Sequence, residues 1–444
     1  MNTPIADFVR GYEKRNMTRL HMPGHKGQAI VGCEGFDITE VAGADSLYEA
    51  TGIIAESEIN TTKLFGTART VYSTEGSSQC IRAMLYLAMT NHKGKEKPIV
   101  VATRNAHKAF LYAVAMLDLE VEWIWPEETG SLCSCTITEK ILEDTLVNMK
   151  ERPIAVYVTS PDYLGGQLDI PSIAEVCHKN DTILAVDNAH GAYLRFLSPS
   201  QHPMDLGADI CCDSAHKTLP VLTGGAYLHI GKSAPKHFAQ QAKQAMALFG
   251  STSPSYLILI SLDICNSYLS EKYSELLLRT IQQVYELKNN LRKMGWQILD
   301  TEPLKMTVRM PKGLSGIQKA KMLREANVEC EYADAEYIVC MFTPENLEED
   351  YERTIHAFDE NCELYEEQTE LQISKCIRAI SIREAMFSQQ ETIPVEDAMG
   401  RICGTPAVSC PPAIPIVIAG EVIDEDAINV FEHYGIKSVD VVKE

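Results

Sequence analysis

The stretch CCDSAHKTLPVLTGG, residues 211–225, places Lys217 directly after an apolar run and beside Ser214 and His216. A lysine just past a strand is usually a solvated charge, because lysine is among the residues least often buried. Alternatively, a lysine in a partly desolvated pocket can lose its proton and attack a carbonyl carbon. Residues elsewhere in the chain bear on the choice between these two interpretations.

Lys217 follows one of four short apolar runs that each change abruptly to polar residues. The polar ends lie at residues 104–107, 160–163, 187–190 and 214–217. Apolar runs of this length, separated by helical patterns, are typical of buried parallel strands. Ligands bind beyond the carboxyl ends of the strands in open α/β sheets, so the four polar clusters predict a binding site at one edge of the sheet.

Residues 70–89 read as a short strand, a polar turn and an amphipathic helix. Gly76, Ser77 and Ser78 then lie at the N-terminus of that helix. Free backbone N–H groups and the helix dipole favour a phosphate there, and the hydroxyls add donors. The simpler interpretation is that Ser77 only caps the helix.

Asp187 ends another buried strand, thirty residues before Lys217. A carboxylate, a lysine and a phosphate site at one edge meet the needs of pyridoxal 5'-phosphate (PLP). The lysine forms a Schiff base, and the carboxylate keeps the ring nitrogen protonated, which makes the ring an electron sink. His107 is a candidate for a flat group stacked on the ring, although it could equally be an ordinary hydrogen-bonded histidine.

Two other kinds of site have little support from the sequence. His21 and His25 are four residues apart, as helical metal ligands would be, but Pro23 and Gly24 break such a helix. We therefore expect no metal site there. No GxGxxG motif follows a predicted strand, so a nicotinamide cofactor is not indicated.

The composition is that of an ordinary globular protein. Its 444 residues are enough for two or three domains, and 45% of them are hydrophobic. The formal net charge of −21 argues against nucleic-acid binding and suits either solubility or a cationic substrate. No apolar run predicts a membrane span or signal peptide, and the fourteen cysteines read as reduced thiols, so we expect a cytoplasmic protein.

Seven segments in order resemble the Orn/Lys/Arg decarboxylases, a family of PLP-dependent enzymes of fold type I, in their short bacterial form. They are HMPGHKG (21–27), DITEVAGADSLYEATGIIAESE (37–58), RNAHKA (104–109), VDNAHGAYLRF (186–196), SAHKTLPVLTGG (214–225), STSPSYLILISLD (251–263) and CPPAIPIVIAGE (410–421). The resemblance covers most of the chain, and it includes the residues that the strand ends single out.

The resemblance implies an α/β protein of the PLP-dependent transferase fold type I, with a mostly parallel sheet between helices in a large domain. A smaller α+β domain and a C-terminal segment complete it. We expect an N-terminal arm at 1–30, the PLP-binding domain at 31–265, the small domain at 266–375 and the C-terminal decarboxylase-type domain at 376–444. One helix is predicted over 266–295, ending at Gly295, and an extended proline-rich segment over 403–423.

The resemblance also implies roles for individual residues. Lys217 binds the cofactor covalently, Asp187 pairs with the ring nitrogen, and His107 and Ala189 lie on opposite faces of the ring. Ser77, Ser78, Ser214 and His216 are implied to hold the phosphate, and Gly76 and His190 are further cofactor contacts. Ser251 and Thr252 are expected to approach the phosphate from a neighbouring subunit, and Glu421 to reach the distal cation of the substrate.

The implied reaction is decarboxylation of a basic amino acid, with arginine or lysine favoured over ornithine, by a homodimer or higher homo-oligomer. We expect neither a nucleic acid nor a membrane as partner. An aminotransferase or lyase would share the cofactor site, and an aminotransferase could use Arg378 or Arg383 to clamp the substrate carboxylate. A third alternative is a non-catalytic protein that keeps the fold.

The chain departs from the family pattern at several positions. DNAHGAY stands where relatives usually read DEAHGAH, which introduces Asn188 and Tyr193. Gly224 replaces a glutamine after the lysine segment, and Ala413 replaces a glycine in the C-terminal segment. The phosphate turn reads TEGSSQ rather than an Asn-Gly-Thr pattern. These departures leave open the choice of substrate and the outcome of the reaction.

Overall fold

A computed structural model of the chain describes residues 1–126, 131–358, 375–406 and 413–443. By its internal contacts the chain forms two compact units. The first comprises residues 1–92 and 170–277, and the second comprises residues 93–169 and 278–444. The division into four segments stays a prediction.

The helices are α1 (Pro4–Lys14), α2 (Ile53–Phe65), α3 (Gly76–Thr90), α4 (Lys108–Leu117), α5 (Glu139–Asn148), α6 (Ile170–Lys179), α7 (Ala215–Thr218), α8 (Lys236–Phe249), α9 (Tyr256–Glu271), α10 (Tyr273–Lys293), α11 (Gly316–Glu325), α12 (Glu348–Ala357), α13 (Ile382–Phe387) and α14 (Glu425–His433). Short 3-10 helices span Ala192–Phe196 and Val395–Asp397. The strands are β1 (Arg69–Ser73), β2 (Ile99–Thr103), β3 (Glu120–Ile124), β4 (Ala155–Thr159), β5 (Ile183–Asp187), β6 (Ile210–Asp213), β7 (Ala226–Ile230), β8 (Gln297–Ile298), β9 (Lys305–Arg309), β10 (Tyr332–Ala333), β11 (Tyr337–Met341), β12 (Gln390–Pro394) and β13 (Ser438–Val442).

The strands of the first unit lie in the order β1-β7-β6-β5. β5 and β6 are parallel, with Asp187 opposite Cys212, whereas β7 runs antiparallel to both β6 and β1. Every residue of β5 and β6 is buried, as expected of parallel strands that are covered on both faces. The parallel pairing brings the polar residues after β5 and β6 to the same edge of the sheet.

Buried carboxylates hold helix ends in the first unit. Asp45 accepts hydrogen bonds from the N–H groups of Gly52 and Ile54, at 2.8 and 3.1 Å, at the start of α2. Asp263 of α9 accepts from the N–H of Ile5 in α1 at 2.9 Å. Such bonds satisfy N–H groups that a helix leaves without an internal partner. Both carboxylates lie in segments that carry the family resemblance, so part of that resemblance reflects helix ends rather than chemistry.

The second unit contains strands in the order β4-β2-β3, all parallel. It also contains the antiparallel sheet β10-β11-β9-β8 and the antiparallel pair β12-β13. One apolar core lies around Trp296, Ile338 and Phe358, and another around Val417, Phe431 and Val441. The antiparallel strands of this unit all come from residues after 296, within the part of the chain for which the sequence predicts alternating helices and strands.

The predicted strands before the four polar clusters are confirmed as β2, β4, β5 and β6. The strand, turn and helix predicted over 70–89 are confirmed as β1 and α3. For the predicted extended segment over 403–423, residues 407–412 lie outside the described residues, and the described remainder forms isolated bridges such as Ile402 with Val422.

The single helix predicted over 266–295 is wrong, because α9 ends at Glu271 and α10 begins at Tyr273. No glycine or proline marks this break in the sequence. Tyr273 is fully buried and packs edge-on against Phe196 and Tyr268, with ring centroids 5.2 and 5.6 Å apart. The break between α9 and α10 therefore coincides with the tertiary packing of the Tyr273 ring. Helical periodicity in the sequence does not indicate such packing.

Lys288 of α10 carries a testable electrostatic cost. Its side chain is buried and donates to Thr301 Oγ1 at 3.0 Å, and burial lowers the pKa of Lys288 to about 8. In the unfolded chain the pKa of a lysine is about 10.4. Below pH 8 the buried ammonium therefore lowers the stability of the folded protein by its full amount, and this destabilisation disappears as the pH rises toward the pKa of the unfolded chain. We expect Lys288→Met to raise the free energy of unfolding at pH 7 by about 2 kcal/mol, after allowance for the lost hydrogen bond.

Urea unfolding at pH 7 and pH 10 measures this effect, with Lys272→Met at an exposed position as the control. The increase in the free energy of unfolding caused by Lys288→Met is expected to be smaller at pH 10 than at pH 7. The control, by contrast, should change the free energy of unfolding little at either pH. A gain of equal size at both pH values would contradict the electrostatic explanation.

Candidate active site

Lys217 lies in α7, directly after β6, and makes a specific contact. Its Nζ is 2.9 Å from Nε2 of His190, which follows β5, and both side chains are partly or fully buried. A partly desolvated ammonium held against an imidazole differs from a solvated surface charge, because burial favours the neutral amine. Lys217 is therefore not a fully solvated charge, and its role as a nucleophile stays a prediction.

The first turn of α3 suits a bound phosphate. Its N-cap residue, Glu75, makes no side-chain capping hydrogen bond. Ser214, at the N-cap of α7, donates to Ser77 Oγ at 2.8 Å. Serine hydroxyls from two helix starts therefore meet where the dipole of α3 favours an anion, and Ser78 lies in the same first turn.

Two of the predicted phosphate ligands also bond the loop that follows the lysine segment. The N–H of Gly76 donates to the carbonyl of Gly224 at 2.7 Å. The N–H of His216 and its Nδ1 approach the carbonyl of Gly225 at 3.2 and 2.9 Å. In this structure these three groups therefore hold the loop, and the direct contacts of Gly76 and His216 with phosphate stay predictions.

Asp187 is buried at the end of β5. Its Oδ1 accepts hydrogen bonds from the N–H of Ala189 at 3.2 Å and from the thiol of Cys212 at 3.5 Å. Because His190 comes three residues later and contacts Lys217, the end of β5 links the carboxylate to the lysine. The structure thus brings Asp187, Ala189, His190 and Lys217 together along two neighbouring strand ends.

Ser251 and Thr252 are exposed residues that follow α8. Within the chain, the N–H of Ser251 donates to Glu75 Oε1 at 2.5 Å, and Ser251 Oγ accepts from the N–H of Ser253 at 3.1 Å. This segment therefore lies beside the turn before α3. Glu75 is not among the residues predicted for the site, although an acidic residue in the predicted phosphate turn is a signal that the sequence contains.

His107 belongs to the second unit, where it is the N-cap residue of α4. Its Nδ1 accepts from the N–H of Ala109 at 3.1 Å, so one ring nitrogen serves as the helix cap. This bond fixes the orientation of the imidazole. The stacking of His107 on the cofactor ring stays a prediction.

Glu421 is buried in the second unit, next to a charged partner, Arg104, that is not among the predicted site residues. Its Oε2 accepts from the N–H of Ile418 at 2.8 Å and lies 4.0 Å from Arg104. Arg104 also donates to the carbonyls of Pro415 and Ile416, at 2.8 Å each. Burial raises the pKa of Glu421, and the guanidinium opposes that rise.

The same guanidinium lies over an aromatic ring. The Arg104 carbon Cζ is 5.1 Å from the ring centroid of Trp125, a distance typical of a cation–π contact. Arg104 thus holds the segment that carries Glu421 in place through hydrogen bonds, and its positive charge compensates the negative charge of the Glu421 carboxylate. The signal available in the sequence was an arginine that directly follows a buried strand.

One departure from the family pattern has a local explanation, and a second is located in the fold. Gly224 has a φ of +99°, and a Cβ there would lie 2.9 Å from the carbonyl oxygen of Thr74. A side chain at this position would therefore collide with backbone. Tyr193 is fully buried in a 3-10 helix.

Residues weighed for metal binding have other partners. His21 Nε2 is 2.8 Å from the hydroxyl of Tyr12, and His25 Nε2 is 3.1 Å from Asp37 Oδ2. In another part of the chain, His202, Cys211 and Asp213 bring possible ligand atoms within 4.8 Å of one another.

Among the described residues, no helix is long and apolar enough to cross a membrane.

The chain matches known families over most of its length. Residues 3–308 match the family described as Orn/Lys/Arg decarboxylase, major domain, and residues 363–435 match the C-terminal domain of the same family. The arginine decarboxylase of Bacillus subtilis (strain 168) is 29% identical, with 96% of this chain and 92% of that protein covered. The arginine decarboxylase of Bacillus anthracis is 27% identical over 96% of this chain and 91% of that protein.

Solved structures of decarboxylases share the fold. The lysine decarboxylase LdcF of Francisella novicida superposes with a TM-score of 0.81 at 16% identity, covering 99% of this chain and 81% of that one. The constitutive lysine decarboxylase of Escherichia coli superposes with a TM-score of 0.79 at 17% identity, covering 100% of this chain and 82% of that one. The fold is therefore that of fold type I enzymes, as expected. The chain belongs to the Orn/Lys/Arg decarboxylase family, which confirms the expected family and the enzyme class.

Ala413 gives a prediction about backbone strain. Its φ of +61° lies in the left-handed region, and its carbonyl accepts from the N–H of Lys108 at 3.0 Å. A residue with a Cβ pays about 1 kcal/mol or more there relative to glycine, which the family pattern has at this position. We expect Ala413→Gly to raise the free energy of unfolding by about 0.5–1 kcal/mol.

The matched control is Ala326→Gly, since Ala326 has an ordinary φ of −89° and should lose stability through the added freedom of the unfolded chain. Urea unfolding of both variants measures the difference. If both substitutions lowered stability equally, the strain assigned to Ala413 would be wrong.

Proposed function

We propose that this protein decarboxylates a basic amino acid, arginine or lysine rather than ornithine, to the corresponding amine and CO2 with the help of PLP. The observation that carries the proposal is the contact of Lys217 with His190 at the strand edge that also holds Asp187. Family membership and relatives named arginine decarboxylase support the reaction class.

Different residues at this edge of the sheet would bind different parts of PLP. Bound PLP would supply an electron sink for the carbanion left when CO2 departs. Lys217 would bind the cofactor covalently through its amine, and Asp187 would keep a proton on the ring nitrogen. Ser77, Ser78 and Ser214 would hold the phosphate, with the N–H groups at the start of α3.

The substrate assignment rests on charge. Glu421 would meet the distal cation of the substrate, and the net charge of −21 favours the approach of a cationic amino acid. Arg104 lies 4.0 Å from this carboxylate, so the substrate cation would share it with the guanidinium. A homodimer, in which Ser251 and Thr252 of one subunit approach the phosphate of the other, and a cytoplasmic location complete the proposal.

The aminotransferase alternative has less support. Arg378 pairs with Glu120 Oε2 at 2.8 Å, and Arg383 donates to the carbonyl of Ala115 at 2.7 Å. Both guanidiniums that could clamp a substrate carboxylate are therefore engaged within the second unit. A keto-acid product would favour that alternative.

Replacement of Lys217 tests the core of the proposal. We expect the unchanged protein with added PLP to show the visible absorbance of lysine-bound PLP and to release CO2 and the amine from arginine or lysine. Lys217→Ala should abolish both the absorbance and the turnover, because the reacting amine is gone. Lys232→Ala, at an exposed position in the same unit, is the control and should retain both. A Lys217→Ala variant that stayed coloured and active would refute the assignment.

Replacement of Asp187 tests the role of the carboxylate. Asp187→Ala should still bind PLP, although with a dissociation constant raised at least tenfold, and at saturating PLP turnover should fall by about a hundredfold or more, since a preorganised charge next to the reacting system is lost. Asp7→Ala, at an exposed position in α1, is the control. Turnover near that of the unchanged protein would show that Asp187 does not support the electron sink.

A further inference from the structure

Asn188, one of the departures from the family pattern, pairs with a buried carboxylate. Its Nδ2 donates to Asp213 Oδ1 at 2.7 Å, and both residues are fully buried. Asn188 directly follows Asp187, and Asp213 is the last residue of β6. The bond therefore joins the ends of the two parallel strands that carry the proposed cofactor site.

Asp213 remains charged because several donors surround it. Its Oδ2 lies 3.0 Å from Nε2 of His202 and 3.0 Å from Nε2 of His229. Burial by itself would raise the pKa of Asp213, but the two imidazoles outweigh burial and hold that pKa well below its usual range. A buried carboxylate with this many donors is stable as an anion, whereas one left without them would not be.

The proton positions follow from the outer contacts of the imidazoles. The N–H of Met204 donates to His202 Nδ1 at 3.3 Å, so His202 carries its proton on Nε2 and donates it to Asp213. His229 Nδ1 is 2.8 Å from the hydroxyl of Thr70 in β1. The Cys211 thiol donates to Asp213 Oδ1 at 3.6 Å, so hydrogen bonds to the carboxylate account for the cluster of His202, Cys211 and Asp213. They anchor Asp213 from β7 and from the loop before β6, and Thr70 of β1 supports His229.

The anchored carboxylate fixes the end of β5. The N–H of Asn188 donates to the carbonyl of Cys212 at 3.0 Å, and the Cys212 thiol donates to Asp187 Oδ1 at 3.5 Å. Backbone and side chain of Asn188 are therefore both held by β6. Because Asp187 is the preceding residue, its carboxylate has little freedom to move while the Asn188–Asp213 bond is intact.

We propose that Asp213 is a positioning residue, which acts through the amide of Asn188 to hold Asp187 where the ring nitrogen of the cofactor would meet it. The chain has an amide at position 188 because Asp213 needs a donor there. A carboxylate at position 188, as in the family pattern, would lie against the carboxylate of Asp213, and two carboxylates in contact cannot both ionise without cost. This inference rests on the proposed function of Asp187.

An exchange of the two side chains tests the proposal, because asparagine and aspartate have the same shape. Asn188→Asp places two carboxylates in contact, and the double variant Asn188→Asp with Asp213→Asn restores a donor facing an acceptor. The PLP dissociation constant of each variant is measured by absorbance titration at pH 8, and unfolding is followed separately. We expect the constant to rise at least tenfold in Asn188→Asp and to return to within about threefold of the unchanged protein in the double variant.

Asp209 provides the matched control at the other end of the same strand. It is also buried, accepts from the N–H of Leu184 at 2.9 Å, and lies 3.0 Å from His178 Nε2. Asp209→Asn should lower the unfolding temperature and leave the PLP dissociation constant within about twofold, since Asp209 holds the start of β5 rather than its end. The comparison separates positioning from a general loss of stability.

The outcomes distinguish this inference from the proposed function. If the unchanged protein binds no PLP, the proposed function fails and this role fails with it. If it binds PLP and Asn188→Asp binds equally well, or the double variant is no better than Asn188→Asp, only the role of Asp213 fails. Should Asn188→Asp not fold, Asp213→Asn with an unaltered PLP affinity and a loss of stability like that of Asp209→Asn would equally overturn it.

Discussion

The parallel pairing of β5 with β6 is the constraint on which the proposed site depends. It places Asp187 opposite Cys212 and brings the segments after both strands to one edge. Lys217 and His190, which come from different strands, can then make their 2.9 Å contact. A slip in the register of the two strands would move Asp187 away from Cys212 and separate these groups. Packing of the sheet therefore maintains the arrangement of the proposed site at its edge.

Buried charge is the second organising feature. Asp213 in the first unit and Glu421 in the second are both buried carboxylates, and each has a cationic or hydrogen-bonding partner within its own unit. A charge removed from water must be compensated in place, so each carboxylate determines what its neighbours can be. This requirement connects Arg104 with the C-terminal segment and Asn188 with β6.

Much of the fold could be predicted from the sequence because buried strands and amphipathic helices have recognisable patterns. The strand ends at Asp187 and before Ser214 were among them, as was the helix start at Gly76. The division between α9 and α10 could not be predicted, since it accompanies the packing of Tyr273 against a ring distant in sequence. The charge partner of Glu421 was missed for the same reason, since Arg104 lies more than three hundred residues earlier.

The sequence by itself determined which residues lie at the ends of the strands, among them Asp187 and the segment that carries Lys217, for which it predicts the roles proposed above. Apolar periodicity suffices for that, because it reports where each strand is buried and where it ends. Only the tertiary structure decided which polar groups pair, such as Asn188 with Asp213 and Arg104 with Glu421. Those partners are set by strand register and by packing between distant segments, which no local pattern records.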